Sequence, residues 1–161
     1  VVYSIGGNNQ WEFERDMLEK TNCDIHTFDC TGNKSRFIVP PSDRLFFHYE
    51  CLGTSSETNF FTFEQLTTKY GHEQVDLLKM DIEGYEYGVF EDIFSSADLM
   101  SAPMQILVEV HYRTSMRGIP GARAANGKII DWKNETDLFN LNLSFLKNGF
   151  LFTSSQFLNA I

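Results

Sequence analysis

In the stretch "LLKMDIEGYEYGVF", residues 77–90, an apolar run ends in Asp81 and Glu83, and Gly84 then turns the chain toward a helix. A second apolar run, "QILVEVH", ends in Glu109 and His111. Carboxylates are costly to bury without a partner, so three of them and an imidazole at the exits of core strands point to a shared polar crevice. Residues two apart on a strand face the same way, which puts Glu109 and His111 side by side. An imidazole titrates near neutrality and suits a general base, so His111 is the expected base and Glu109 its neighbour. The alternative for both is a hydrogen-bonded scaffold role. Asp81, Glu83, Glu109 and His111 also form an oxygen-and-nitrogen set of the kind that holds a divalent cation. No tight ligand motif accompanies them, and no metal is expected. Glu83 is equally explained as a favourable charge at a helix N-terminus.

Two further places carry chemistry. "VVYSI" is followed by "GGNNQ", so Gly6, Gly7 and Asn8 form a turn where backbone amides can approach a ligand. "CDIHTFDC" delivers Asp29 at a strand end, where a carboxylate can accept hydrogen bonds from a ribose diol. These features suit a dinucleotide and S-adenosylmethionine alike. "GGNNQWE" is not G-x-G-x-x-G, so a pyrophosphate cradle is not spelled out. An ordinary strand-to-helix turn and a solvated strand end remain open for these residues.

The elements that must position these groups follow from the pattern. "WEFERDMLEK", residues 11–20, reads as a helix with acids at its start. "RLFFHYECLG", residues 44–53, reads as one strand. "FFTFEQLTTKYG" reads as a short strand or turn and a helix ended by Gly71. "YEYGVFEDIF" places Val89, Phe90, Ile93 and Phe94 on one helical face. "MQILVEVHY" reads as the clearest buried strand. "TDLFNLNLSFLKNGF" reads as an amphipathic helix with Leu138, Leu141, Phe145 and Leu146 inward and Gly149 as its stop, and "FLFTSS" as the last strand. Near-continuously apolar strands alternating with helices predict an α/β fold with a mostly parallel sheet covered on both faces. Ligands of such sheets bind outside the carboxyl ends of the strands.

The 161 residues fit one domain, 1–161, and read as part of a longer chain. A formal net charge of −9 argues against nucleic-acid binding and against membrane contact from this domain. No run approaches the roughly 18 apolar residues of a membrane span. Residues 113–131 read as a loop with Arg113, Arg117, Arg123 and Lys128 against one acid, Asp131. A solvated loop and a lid for an anionic or hydroxyl-rich acceptor both account for it. Trp11 and Trp132 read as packing residues rather than sugar-stacking ones. Cys23, Cys30 and Cys51 have no metal-type spacing, and three free thiols are expected; a bridge, if one forms, joins Cys30 to Cys51, because both end strands this topology sets side by side. Glycosylation sequons at Asn33, Asn134 and Asn142 weakly favour a secretory or extracellular origin over a cytoplasmic one.

The segments "VYSIGGNNQWEFE", "HTFDCT", "FFTFEQL", "VDLLKMDIEGYEYGVF", "QILVEVH" and "LKNGFLF", in this order, resemble the FkbM-like methyltransferases, and most closely their eukaryotic methyltransferase-like branch. The resemblance spans nearly the whole chain, and "KMDIEG" is its most specific part. It implies a three-layer, Rossmann-like class I fold that binds S-adenosylmethionine, and a small-molecule or carbohydrate acceptor methylated on oxygen. By the same resemblance Gly6 lies by the methionine moiety, Asp29 binds the ribose hydroxyls and Asp81 lies beside the sulfonium. The chain departs from that pattern at Ser4, where the first strand usually ends in an acid. A helix before the first strand and a closing seventh strand also look absent, which leaves a non-catalytic binding domain as the rival. Oligomeric state is left open.

Overall fold

A computed structural model describes residues 1–53, 58–95, 102–111 and 133–153. In chain order the elements are β1 (Val2–Ile5), α1 (Glu12–Lys20), β2 (Ile25–Phe28), a 3-10 turn (Lys34–Arg36), β3 (Leu45–His48), β4 (Cys51–Leu52), β5 (Phe60–Phe61), α2 (Phe63–Tyr70), β6 (Leu77–Met80), α3 (Glu86–Ser95), β7 (Gln105–Val108) and α4 (Glu135–Lys147). Five strands form one parallel sheet in the order β3-β2-β1-β6-β7. The chain is an α/β protein with a parallel, Rossmann-like sheet flanked by helices, as expected.

The register decides where the chemistry falls. Ile5 pairs with both Phe28 and Met80, and Met80 pairs with Val108. Four strands therefore end at one level, and Gly6, Asp29, Asp81 and Glu109 are each the first residue beyond it. Backbone bonds continue one step past these ends, from Gly6 N to Phe28 O (3.0 Å), Asp81 N to Ile5 O (3.1 Å) and Glu109 N to Met80 O (3.0 Å). The exits are thus stapled to one another before any side chain acts.

The sheet is buried on both faces because side chains alternate across it. Tyr3, Ile5, Phe28, Leu78 and Met80 pack with Leu66 of α2, Phe90 and Ile93 of α3 and Phe145 of α4. Val2, Ile25 and Leu45 pack on the other face with Trp11 and with Phe13, Met17 and Leu18 of α1. Trp11 is buried there, edge-on to Phe47, in the packing role expected of it. Local signals set the helix ends. Thr62 and Gln65 form a reciprocal capping box at α2, Gly71 closes it in the left-handed region, and Asn134 caps α4 with Asp137. No helix among the described residues is long and apolar enough to cross a membrane.

Several expectations are corrected. "RLFFHYECLG" is two strands, not one. Asn59 Nδ2 bonds to Tyr49 O at 2.7 Å and Lys69 Nζ to Glu50 Oε1 at 2.5 Å, which draws the chain out of the main sheet; Cys51–Leu52 then pairs in parallel with Phe60–Phe61. Cys51 and Gly53 consequently follow the break rather than the end of β3. Cys30 and Cys51 are bridged, with Cα atoms 5.2 Å apart, and Cys23 alone is free, so the expected three thiols are not present while the conditional pairing holds. β7 is not a fully buried strand: Ile106 and Val108 meet the core, but Leu107 on the opposite face is 53% exposed. Leu146 is likewise exposed, because Leu141 and Phe145 take the inward stripe of α4. Residues 150–153 form no strand. The amide of Phe150 is used in closing α4, donating to Phe145 O at 3.0 Å, and Gly149 takes a positive φ of 84° to permit it. The cationic loop, Trp132 and the rest of "FLFTSS" lie outside the described residues.

Candidate active site

The turn after β1 is a rigid structure of its own. Gly6 has φ 78°, and a Cβ there would lie 1.8 Å from the carbonyl oxygen of Asp81, so only glycine lets the β1 exit pack on the β6 exit. Asn8 and Asn9 also have positive φ, at 49° and 65°, a conformation Asn tolerates better than most residues. Asp29 holds the turn from below. It is buried, and its two oxygens accept the amides of Asn8 (2.6 Å) and Thr31 (2.7 Å). Each carboxylate oxygen has a second lone pair left for another donor. Arg36 clamps the outer side, donating to the backbone and side-chain oxygens of Asn8 and to Thr31 O. Asn9 Oδ1 accepts from Trp11 Nε1 and Ile38 N.

The second half of the site centres on His111. Its Nδ1 lies 3.0 Å from Glu86 Oε1, on a carboxylate with no exposed surface. The same Oε1 accepts the amide of Ile82 at 3.0 Å, so Glu86 ties the β6–α3 turn to the imidazole. On the other ring edge, Nε2 faces Glu83 Oε2 at 3.6 Å, Asp81 Oδ1 at 3.7 Å and Glu109 Oε1 at 3.9 Å. Burial by itself would lower the His111 pKa. The hydrogen bond and charge of Glu86, with the charges of Glu83 and Asp81, outweigh it and raise the pKa to about 9. Asp81 is pushed upward by its own burial and by Glu109 and Glu83, against the pull of Lys79 and His111. His111 therefore carries its proton at neutral pH in the ligand-free protein. Glu83 has a φ of 56°, a strained value for a non-glycine residue. Ligand atoms of Asp81, Glu83 and His111 all lie within 4.8 Å of one another, spacing that a divalent cation would tolerate.

The structure thus brings together Gly6, Gly7, Asn8 and Asp29 at the exits of β1 and β2, and Asp81, Glu83, Glu109 and His111 at those of β6 and β7. Three residues escape a reading of the strand ends: Glu86, Arg36 and Glu14. Glu14 is a buried carboxylate of α1 under the glycine turn. Two of them had a visible signal. Glu86 lies three and four residues before Val89 and Phe90, and Glu14 three residues after Trp11 and three before Met17. Both are charges on the apolar stripe of their helix, where burial forces a partner.

A glycine turn and acidic groups at aligned parallel strand ends are features that methyltransferase domains share with dinucleotide-binding folds. The chain belongs to the methyltransferase-domain family, whose model matches residues 1–156. It is 26% identical over 121 residues to the human protein called "Probable methyltransferase-like protein 24", and equally to its rat counterpart. The alignments cover 68% of this chain and 32% of each relative, so the chain spans about a third of the length of the curated relatives it matches. No solved structure matches it.

Proposed function

We propose that this chain is an S-adenosylmethionine-dependent methyltransferase of the FkbM-like branch, acting on oxygen of a sugar or another small hydroxyl compound. The observation that carries the reading is the alignment of the Gly6 turn, Asp29 and Asp81 at the exits of three adjacent strands, with Glu109 and His111 beside them. The residues present fit the cofactor: a side-chain-free turn, a carboxylate with spare lone pairs for a diol, and carboxylates for a cation. Gly6, Gly7 and Asn8 would carry the methionine end, Asp29 the ribose, and Asp81 the charged centre. When bound, S-adenosylmethionine supplies a methyl group on a sulfonium, which an acceptor oxygen takes by in-line displacement. The chain's own contribution is alignment of that acceptor and removal of its proton. His111 Nε2 receives the proton once the ring is neutral, and Glu109 orients the hydroxyl and stabilises the imidazolium that results.

The Cys30–Cys51 bridge supports maturation in an oxidising compartment, in line with the sequons. Ser4 at the end of β1 favours a second reading, a binding domain that keeps the scaffold without turnover. Calorimetric titration with S-adenosylmethionine and S-adenosylhomocysteine tests the cofactor. Binding followed by methyl transfer to a panel of hydroxyl acceptors supports the enzyme; binding with no transfer to any acceptor, or no binding, overturns it in favour of the rival.

A further inference from the structure

Beneath the glycine turn, on the α1 side of the sheet, lies a small group of buried polar side chains outside the His111 cluster. Glu14 is 1% exposed. Its Oε1 accepts from Thr27 Oγ1 at 3.2 Å, whereas its Oε2 is buried with no hydrogen-bond partner among the described residues. Ser4 pairs with Thr27 in the sheet and is itself fully buried, with its Oγ unpartnered too. A carboxylate oxygen left without a partner in such a place is costly, so a fold retains it only where something offsets it. The gap above it is built as well. A Cβ on Gly7 would lie 3.4 Å from the Gln10 carbonyl oxygen, 3.8 Å from Glu14 Oε1 and 3.9 Å from Thr27 Cγ2, so the space there is that of one methyl-sized group in ordinary contact. Glycine is therefore not required there by strain, and its effect is to leave space between the turn and the carboxylate.

We propose that Glu14 takes the ammonium group of the cofactor's methionine moiety, supplying from α1 the carboxylate that β1 lacks at Ser4. The inference rests on the methyltransferase reading above. An ammonium has three donors, which match the unpartnered Glu14 Oε2, the Ser4 hydroxyl and one backbone carbonyl of the turn. Binding would give a partner to a buried oxygen that the fold leaves without one.

The test compares S-adenosylhomocysteine with its deamino analogue, which lacks only the ammonium, by calorimetry on the wild type and Glu14→Gln. The wild type should prefer the parent compound by about 10- to 100-fold, the scale of a hydrogen bond to a charged group. Glu14→Gln should lose that preference while binding the deamino analogue as the wild type does, and thermal unfolding should show the variant at least as stable without ligand. Unchanged preference in Glu14→Gln overturns the proposal, as does a wild type that binds both compounds equally. Should Glu14→Gln fail to fold, Gly7→Ala decides, because its methyl fills the gap over Glu14: selective loss of the parent compound supports the proposal, and equal loss of both overturns it. A wild type that binds neither compound instead removes the methyltransferase reading on which this one stands.

Discussion

The carbonyl oxygen of Asp81 occupies the space that a side chain on Gly6 would need, 1.8 Å from the ideal Cβ position. The β1 exit and the β6 exit therefore touch backbone to backbone. Gly6→Ala adds a clash to an unfavourable positive φ and should destabilise the fold by roughly 2–4 kcal/mol. Gly71→Ala, at a positive φ of 73° with open space around it, should cost only about 1 kcal/mol. Urea unfolding of the two variants measures the difference. Equal effects would mean that the contact with Asp81 relaxes freely.

Asp29 joins the loops that follow β1 and β2, through the amides of Asn8 and Thr31. Asp29→Ala frees the amides of Asn8 and Thr31 and removes the acceptor proposed for the ribose. S-adenosylhomocysteine should bind about 1.5–3 kcal/mol more weakly, the scale of hydrogen bonds to a charged group. Calorimetry on the folded variant reads this directly, and unchanged affinity takes Asp29 out of the site.

His111 with a pKa of about 9 gives two pH effects of known sign. Its folded value lies above the unfolded one, so its stabilising contribution is complete below about pH 6.5 and is lost as pH rises toward 9. If it is the base, turnover climbs over the same range, and His111→Ala lowers turnover by about 10²–10⁴-fold with little effect on cofactor affinity. Glu86→Gln should move the rate profile to lower pH more than Glu109→Gln does, because Glu86 lies at 3.0 Å and Glu109 at 3.9 Å. NMR titration of the His111 ring and rate profiles of the three proteins check this; a wild-type rate for His111→Ala returns His111 to the scaffold.

On the β2–β3 side of the sheet, His26 Nδ1 and His48 Nε2 lie 3.0 Å apart with their rings stacked. Burial first, then mutual repulsion with His72, lowers His26 to about 4; burial and Lys69, partly opposed by Glu50, lower His48 to about 4. Depressed values mean that the unfolded chain binds these protons first. Stability should be complete above about pH 6.5 and fall as the pH drops toward 4. Urea unfolding at pH 7 and pH 5 should show a lower midpoint at pH 5, and His26→Phe should reduce the difference. An unchanged midpoint would place both rings in water.

The Cys30–Cys51 bridge predicts one reactive thiol in the denatured, non-reduced chain and three after reduction. Reduction should lower stability by about 3 kcal/mol, from the loop it closes. It also loosens the segment carrying Asp29, so cofactor affinity should fall with it. Three reactive thiols before reduction would show that the bridge does not form.

The order of strands and helices, the parallel class of the sheet and the group of residues at its carboxyl edge were all legible in the sequence. These rest on local information: apolar runs of strand length, helical periodicity in "YEYGVFEDIF", Gly71 and Gly149 as stops, and the turn "GGNN". What escaped depends on partners distant in the chain. The break after His48 is made by Asn59, Lys69 and the Cys30 bridge, and Phe150 is drawn from a strand into the closure of α4. The sequence offered Glu109 and His111 as a pair, but only the tertiary structure set Glu86 against the ring, 25 residues away, and so fixed its proton near neutrality. In the same way, the apolar stripe of α1 marks Glu14 for burial, but only the fold sets it under Gly7. Periodicity records which face of an element is buried. The charge state of a buried group depends on distances between elements, and those are set only when the strand register brings the exits to one level.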